Sequence, residues 1–181
     1  MWGENMNYTL CLIQYHDQLL LLNREKKPWM GRWNGIGGKF EKGENALLCV
    51  KREIKEETGL DALNIKFEGL LKWSINDIID DGTVFIFSAH VDKIETNFPL
   101  KTREGILDLK SIKWATDFNN LGLVTNLRLM IPNIMNNETP KKYVCNYKRQ
   151  NVDYLDSEIV EKEEVFELTK EEREMVERLY E

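Results

Sequence analysis

The stretch "GGKFEKGENALLCVKREIKEETGL", Gly37 to Leu60, decides how the rest of the chain is read. Residues 45–58 have the pattern of a helix, and Gly59 is placed to stop it. At about 100° per residue, Leu47, Val50 and Ile54 fall in one sector and face a core. Glu53, Glu56 and Glu57 occupy the flank of that sector, beside Arg52. Carboxylates a turn apart repel and weaken a helix. One reading is a solvated acidic face. The other is convergence at the edge of the buried face, where the carboxylates hold a hard cation such as Mg²⁺ or Mn²⁺.

The residues just before the helix favour the second reading. Gly37 and Gly38 let the backbone approach a ligand closely. Lys39 offers a point charge to phosphate. Glu44 stands at the entrance to the helix, and Arg52 is expected to pair with a neighbouring carboxylate and hold the cluster in shape.

Outward from this segment the chain alternates strands and helices without a regular βαβ rhythm, which favours an α+β fold with a mixed sheet. Residues 8–15 and 19–24 read as a hairpin turning at His16–Gln18. Residues 25–38 form a loop punctuated by Pro28 and several glycines. Strands are expected over 63–75 and 82–91, joined by a polar connection at 76–81. A further strand and its turn are expected around 107–116. A helix is expected over 124–136, weakened at Pro132. A last hairpin spans 141–161, turning near Gln150–Asn151. Thr169 and Glu172 form a capping-box pattern ahead of a short amphipathic helix. The expected division is a domain over 1–160 and an acidic C-terminal extension over 161–181.

The 181 residues suit one domain, and a 42% hydrophobic fraction supplies a core. A net charge of −6 gives no bulk attraction to duplex nucleic acid or an anionic membrane. Three scattered cysteines argue against a disulfide framework or a zinc site and suit a reducing cytoplasm. Cys11 and Cys49 are expected to be buried small hydrophobes. No signal peptide is legible at the N-terminus, and no apolar run is long enough to cross a bilayer.

The spacing of Gly38, Glu44, Arg52, Glu53, Ile54, Glu56, Glu57, Gly59 and Leu60 matches G-x5-E-x7-R-E-U-x-E-E-x-G-U, with U a bulky aliphatic. This is the Nudix box, and the chain resembles the Nudix hydrolases. The resemblance implies a mixed-sheet α/β/α sandwich and hydrolysis of a nucleoside diphosphate linked to another group. It implies Mg²⁺, or Mn²⁺, held by Glu53, Glu56 and Glu57 with the Gly38 carbonyl. It also implies that a carboxylate takes a proton from the attacking water. Glu104 is where many members carry a further catalytic carboxylate; otherwise it is a surface glutamate before a strand.

"GRWNGIGGK", Gly31 to Lys39, with Tyr8-Thr9-Leu10 upstream, resembles the MutT-type branch that hydrolyses oxidised purine nucleoside triphosphates such as 8-oxo-dGTP. By that resemblance Asn34 reads the base, an amide offering both donor and acceptor. Thr9, Arg24, Gly37, Gly38, Lys39, Phe85 and Asn126 complete the expected substrate contacts. At the second base-reading position the branch usually has Trp and Asp, whereas this chain has Leu123, Thr125 and Asn126. Trp29 or Phe85 is a candidate to replace the missing aromatic. Phe85 and Phe87 are expected to divide by strand alternation, one towards the pocket. Trp33 reads as packing, and Trp73 and Trp114 as core. The expected partner is a small nucleotide, and the expected state a monomer or homodimer. Two alternatives are a Nudix enzyme for another substrate (a plain dNTP, a nucleotide sugar, an RNA 5′ end) and a Nudix module that binds without catalysis. Retention of Glu53, Glu56 and Glu57 argues against the second.

Overall fold

Burial parity along β1 and β2 sets the architecture. In a computed structural model that describes residues 7–180 except 76–77, 80–81 and 153–154, β1 spans Asn7–Tyr15 and β2 spans Gln18–Arg24. The side chains of residues 75, 78, 79, 148–152 and 155–163 lie outside the description too. Cys11, Ile13, Leu20 and Leu22 enter one buried cluster, and Leu10, Leu12, Leu19 and Leu21 enter another. Neighbouring residues of a strand face opposite ways. The unbroken apolar runs are therefore those of strands covered on both faces.

The remaining elements follow in order: β3 (Trp33–Asn34), α1 (Ala46–Thr58), β4 (Leu63–Ile75), β5 (Ile78–Ile79), β6 (Thr83–His90), β7 (Leu100–Lys101), β8 (Gly105–Ser111), α2 (Ile112–Ala115), α3 (Thr125–Met135), β9 (Lys141–Val152), β10 (Leu155–Phe166) and α4 (Lys170–Glu177). Among the described residues the strands make one sheet, ordered β10-β9-β4-β6-β1-β2-β8-β7, with β3 beside β2 and β5 beside β4. β1–β6 and β4–β9 pair in parallel and the other pairs are antiparallel, so the sheet is mixed. Val50 and Ile54 of α1 cover one face, and Leu127, Met130 and Ile131 of α3 cover the other. The result is the expected α/β/α sandwich. No described helix is long and apolar enough to cross a membrane.

α1 starts and stops where its local chemistry dictates. Asn45 caps it by accepting the Leu48 N–H at 2.9 Å. Gly59, at φ 72°, ends it in the left-handed region with its N–H on the Lys55 carbonyl. α3 runs through Pro132 to Met135. The Thr169–Glu172 capping box forms.

Some sequence-based expectations are corrected. Phe85 and Phe87 are two residues apart on β6, so they share a face, and both enter the α1-side cluster. Val84 and Ile86 face the other way. Residues 153–154 lie outside the described residues, and Gln150 and Asn151, the expected turn of the last hairpin, pair within it with Ser157 and Asp156. That polar stretch lacks alternation, so pairing sets its register. After β8 the chain forms α2, capped by Ser111 accepting the Trp114 N–H. Most of the expected 76–81 connection lies outside the described residues.

β10 continues past residue 160, and the tail packs on the domain. Leu168 and Leu179 are buried in the α1-side cluster, with Met175 and Val176 against it. The Tyr180 hydroxyl accepts the Phe67 N–H at 2.9 Å. β4 changes register at that point, between Phe67 and Gly69, and a bulge frees a ladder donor.

Candidate active site

β2 pairs with β1 only over Ile13–Tyr15. The first half of β1 instead takes the glycine loop as its neighbour. Thr9 N–H donates to the Gly38 carbonyl at 2.8 Å, Cys11 and Ile36 exchange two bonds, and Phe40 N–H donates to Asn7 at 3.0 Å. This docking leaves no room for side chains at the glycines. A Cβ on Gly37 would collide with the Thr9 carbonyl, at a φ of 154° that favours glycine. One on Gly38 would collide with the Glu53 carboxylate. The loop therefore brings the Gly38 backbone against the acidic flank of α1.

Arg52 organises that flank. Its Nε donates to Glu44 Oε1 at 2.7 Å and its Nη2 to Glu44 Oε2 at 2.9 Å, a forked pair. Nη1 reaches Glu53 Oε1 at 2.9 Å and Glu56 Oε2 at 3.2 Å, and Nη2 reaches the Lys39 carbonyl at 3.1 Å. The forked bond to Arg52, with the Glu41 N–H, holds Glu44 down at about 2. Burial pushes Glu53 up. Burial, then the Glu53 charge, pushes Glu57 up to about 7.

A cavity of about 690 Å³ opens over these groups. Thr9, Arg24, Asn34, Gly37, Gly38, Lys39, Glu53, Glu56, Glu57, Glu104 and Asn126 all line it. Phe85 does not; it packs against Phe40 on the other side. Glu104 is engaged by Lys26 Nζ at 2.9 Å. Residues not expected to contact substrate also line the cavity: Tyr8, Leu71, Trp73, Val84, Thr102, Arg103 and Tyr147. Trp73 meets Tyr8 edge to face at 6.0 Å, and Trp29 meets Tyr147 the same way at 5.7 Å. Trp73 is thus a wall of the cavity as well as core. Leu71 and Trp73 share a face of β4, which was readable; which face carried the cavity was not. Trp33 and Trp114 pack edge to face at 6.5 Å, and Lys110 lies over the Trp33 ring. Cys11 and Cys49 are buried and their thiols pushed up by desolvation, Cys49 to about 11.

Two buried acceptors at the site have no hydrogen-bond partner, Glu57 Oε2 and Asn126 Oδ1. Among the described residues no three carboxylate, imidazole or thiol groups are gathered round one point, since Arg52 draws Glu53 and Glu56 towards itself. The donors nevertheless fit a hard divalent cation. They are all oxygens, one is orphaned, and Glu53 and Glu57 are desolvated close to one another. Glu53, Glu56 and Glu57, with the Gly38 carbonyl beside them, are the groups that would hold such a cation.

Comparison with known proteins gives the family. A family model described as the NUDIX domain matches residues 6–119. An uncharacterised Nudix hydrolase of Bacillus subtilis, YvcI, is 36% identical over 84 residues, 45% of this chain and 51% of that protein. The oxidised purine nucleoside triphosphate hydrolase of mouse is 35% identical over 82 residues, 45% of this chain and 53% of that protein. A shorter match, 39% over 59 residues, is to the NAD-capped RNA hydrolase NudC of Vibrio atlanticus, covering 33% of this chain and 22% of that protein. The matches to the first two span about half the length of those relatives. Among solved structures, a MutT protein of Bacillus halodurans superposes with a TM-score of 0.71 at 27% identity, covering 88% of this chain and 97% of that one. Family match, box spacing and fold agree: the chain belongs to the Nudix family.

Proposed function

We propose that the chain hydrolyses oxidised purine nucleoside triphosphates, such as 8-oxo-dGTP, to the monophosphate and pyrophosphate in a Mg²⁺-dependent reaction. One observation carries this reading: a single cavity joins Glu53, Glu56 and Glu57 to two edge-to-face aromatic pairs and two asparagines. Carboxylates suit a metal-bridged phosphate chain, and aromatic faces suit a base. Asn126 Oδ1, buried and unpaired, calls for a donor from the ligand. Similarity to the mouse enzyme supports the same substrate class.

A Mg²⁺ ion bound here would neutralise phosphate oxygens and lower the pKa of a water. The chain's own groups do the rest. Glu53, Glu56 and Glu57 would hold the cation, with Mn²⁺ a substitute, and Arg52 fixes Glu53 and Glu56. Burial and the Glu53 charge raise Glu57 to about 7 while the site is metal-free, and a cation bound there would favour its charged form. Glu104 lines the same cavity outside the cation-holding set, and is the candidate to take the proton of the attacking water. Thr9, Gly37, Gly38, Arg24 and Lys39 position the phosphates, and Asn34 and Asn126 read the base. In a cell the activity would clear damaged nucleotides from the cytoplasmic pool, by a monomer or homodimer.

A second reading keeps the chemistry and changes the substrate. Asn126 at the position where the branch usually has aspartate, and the match to an NAD-capped RNA hydrolase, favour another diphosphate-linked nucleotide. Comparing turnover and products of 8-oxo-dGTP, dGTP and a capped dinucleotide with Mg²⁺ separates the two. The proposed reaction yields monophosphate and pyrophosphate from a triphosphate. Turnover of a capped dinucleotide alone would support the second reading.

A further inference from the structure

Three cations line the cavity among its described residues: Arg24, Lys39 and Arg103. Sequence pattern pointed to the first two. Arg103 is at the tip of the turn between β7 and β8, and that turn is tightly built. Thr102 N–H donates to the Gly105 carbonyl at 2.8 Å, and the Thr102 hydroxyl accepts the N–H groups of Glu104 and Gly105 at 3.2 and 3.3 Å. Gly105, at φ 152°, lies so close to the Asn23 carbonyl that a Cβ would collide with it. Glu25 N–H bonds the Glu104 carbonyl at 2.9 Å, and Lys26 binds the Glu104 carboxylate.

Every neighbour of Arg103 in this turn is therefore tied down, yet its own guanidinium makes no hydrogen bond or ion pair with a described residue. The adjacent carboxylate, Glu104, pairs with Lys26 and not with Arg103. A fixed backbone carrying an unpaired fork over a carboxylate-lined cavity is suited to an anion that arrives with the ligand. Guanidinium matches phosphate oxygens in a forked, charge-assisted pair, which an ammonium does not reproduce. Glu53, Glu56 and Glu57 would repel that anion unless a cation intervened, so a second positive contact at the rim is useful.

We infer that Arg103 binds the terminal phosphate of a nucleoside triphosphate and so makes the site prefer triphosphates over diphosphates. The inference rests on the reading of this cavity as a nucleotide site. It assigns Arg103 to the part of the substrate that leaves, and not to the base.

The test pairs binding with turnover. Inorganic tripolyphosphate is titrated by calorimetry, with Mg²⁺ present, into the parent chain, R103A, R103K and the control K113A, which removes an exposed charge outside the cavity. The kcat/KM for dGTP and dGDP is measured for the same proteins. The expected result is tripolyphosphate binding weakened about ten-fold or more in R103A, partly recovered in R103K and unchanged in K113A. The dGTP to dGDP preference should fall by a similar factor, mainly through KM. Equal affinity in the parent and R103A overturns the inference, as does equal loss in K113A or no tripolyphosphate binding by the parent. If the parent binds tripolyphosphate through Arg103 but turns over no nucleotide, the hydrolase reading fails and the Arg103 assignment stands. If the parent turns over dGTP and R103A matches it, the reverse holds.

Discussion

Arg52 and Glu44 face each other as a fork and a carboxylate, with contacts of 2.7 and 2.9 Å, and the same guanidinium holds Glu53 and Glu56. Arg52→Lys keeps the charge and loses the fork. Mg²⁺ affinity, or kcat/KM, should fall about 10–100-fold, as when groups that orient metal ligands are changed. The pair also sets an acid limit. Glu44 is held at about 2 against a usual 4.5, so its contribution to stability is complete above pH 4.5 and disappears as pH falls to about 2. Urea unfolding of Glu44→Gln and the parent should differ at pH 6 and converge near pH 2.

Glu57 works in the opposite sense. Its carboxyl is raised to about 7 from 4.5. The folded chain then holds this proton more tightly than the unfolded chain. That stabilisation is complete below pH 4.5 and lost as pH rises through about 7. Metal-free protein in EDTA should therefore lose thermal stability between pH 5 and 8, and Glu57→Gln should flatten the profile. Mg²⁺ should raise the Tm of the parent at pH 8 and raise that of the variant much less. A parent Tm independent of pH across this window would contradict the account.

The Trp73 ring gives the cavity a stacking surface beside Tyr8. Trp73→Leu keeps an apolar side chain and removes that surface. Stacking of a base on an aromatic ring is worth ~1–3 kcal/mol. The kcat/KM for a purine triphosphate should fall about 10–100-fold, while tripolyphosphate binding is retained. Loss of both would mark Trp73 as a packing residue alone.

The legible part of this fold is the part whose causes are local. The Asn45 cap, the Gly59 stop and the glutamates between them specify α1 and its acidic flank within a few turns of chain. The apolar runs of β1 and β2 identify strands buried on both faces. Less was readable where the cause is distant. Alternation says which residues share a face, not which face is hollow, so the sequence reads Trp73 only as core. Phe85 and Phe87 share one parity, so the expected division between them fails and both pack on the α1 side. Arg103 gave no pattern at all, since an exposed turn cation looks like any other. Tyr180 meets Phe67 across 113 residues, beyond the reach of any local signal.

That last contact makes the C-terminal helix part of the domain's stability. Tyr180→Phe deprives the Phe67 N–H of its acceptor and should cost about 1 kcal/mol. Leu179, buried in the α1-side cluster, should cost about 2–3 kcal/mol when replaced by Ala. Both are read from urea unfolding midpoints at constant slope. Parent-like midpoints for the two variants would mean the tail only rests on the domain.

The most direct test of the proposed function is the ratio of kcat/KM for 8-oxo-dGTP to that for dGTP, measured with Mg²⁺ and with Glu56→Gln as the blank. A preference of ten-fold or more, about 1.4 kcal/mol of transition-state discrimination, is the predicted result. Equal values for the two nucleotides would contradict the oxidised-purine assignment. Activity no greater than that of Glu56→Gln would contradict the assignment of this cavity as the catalytic site.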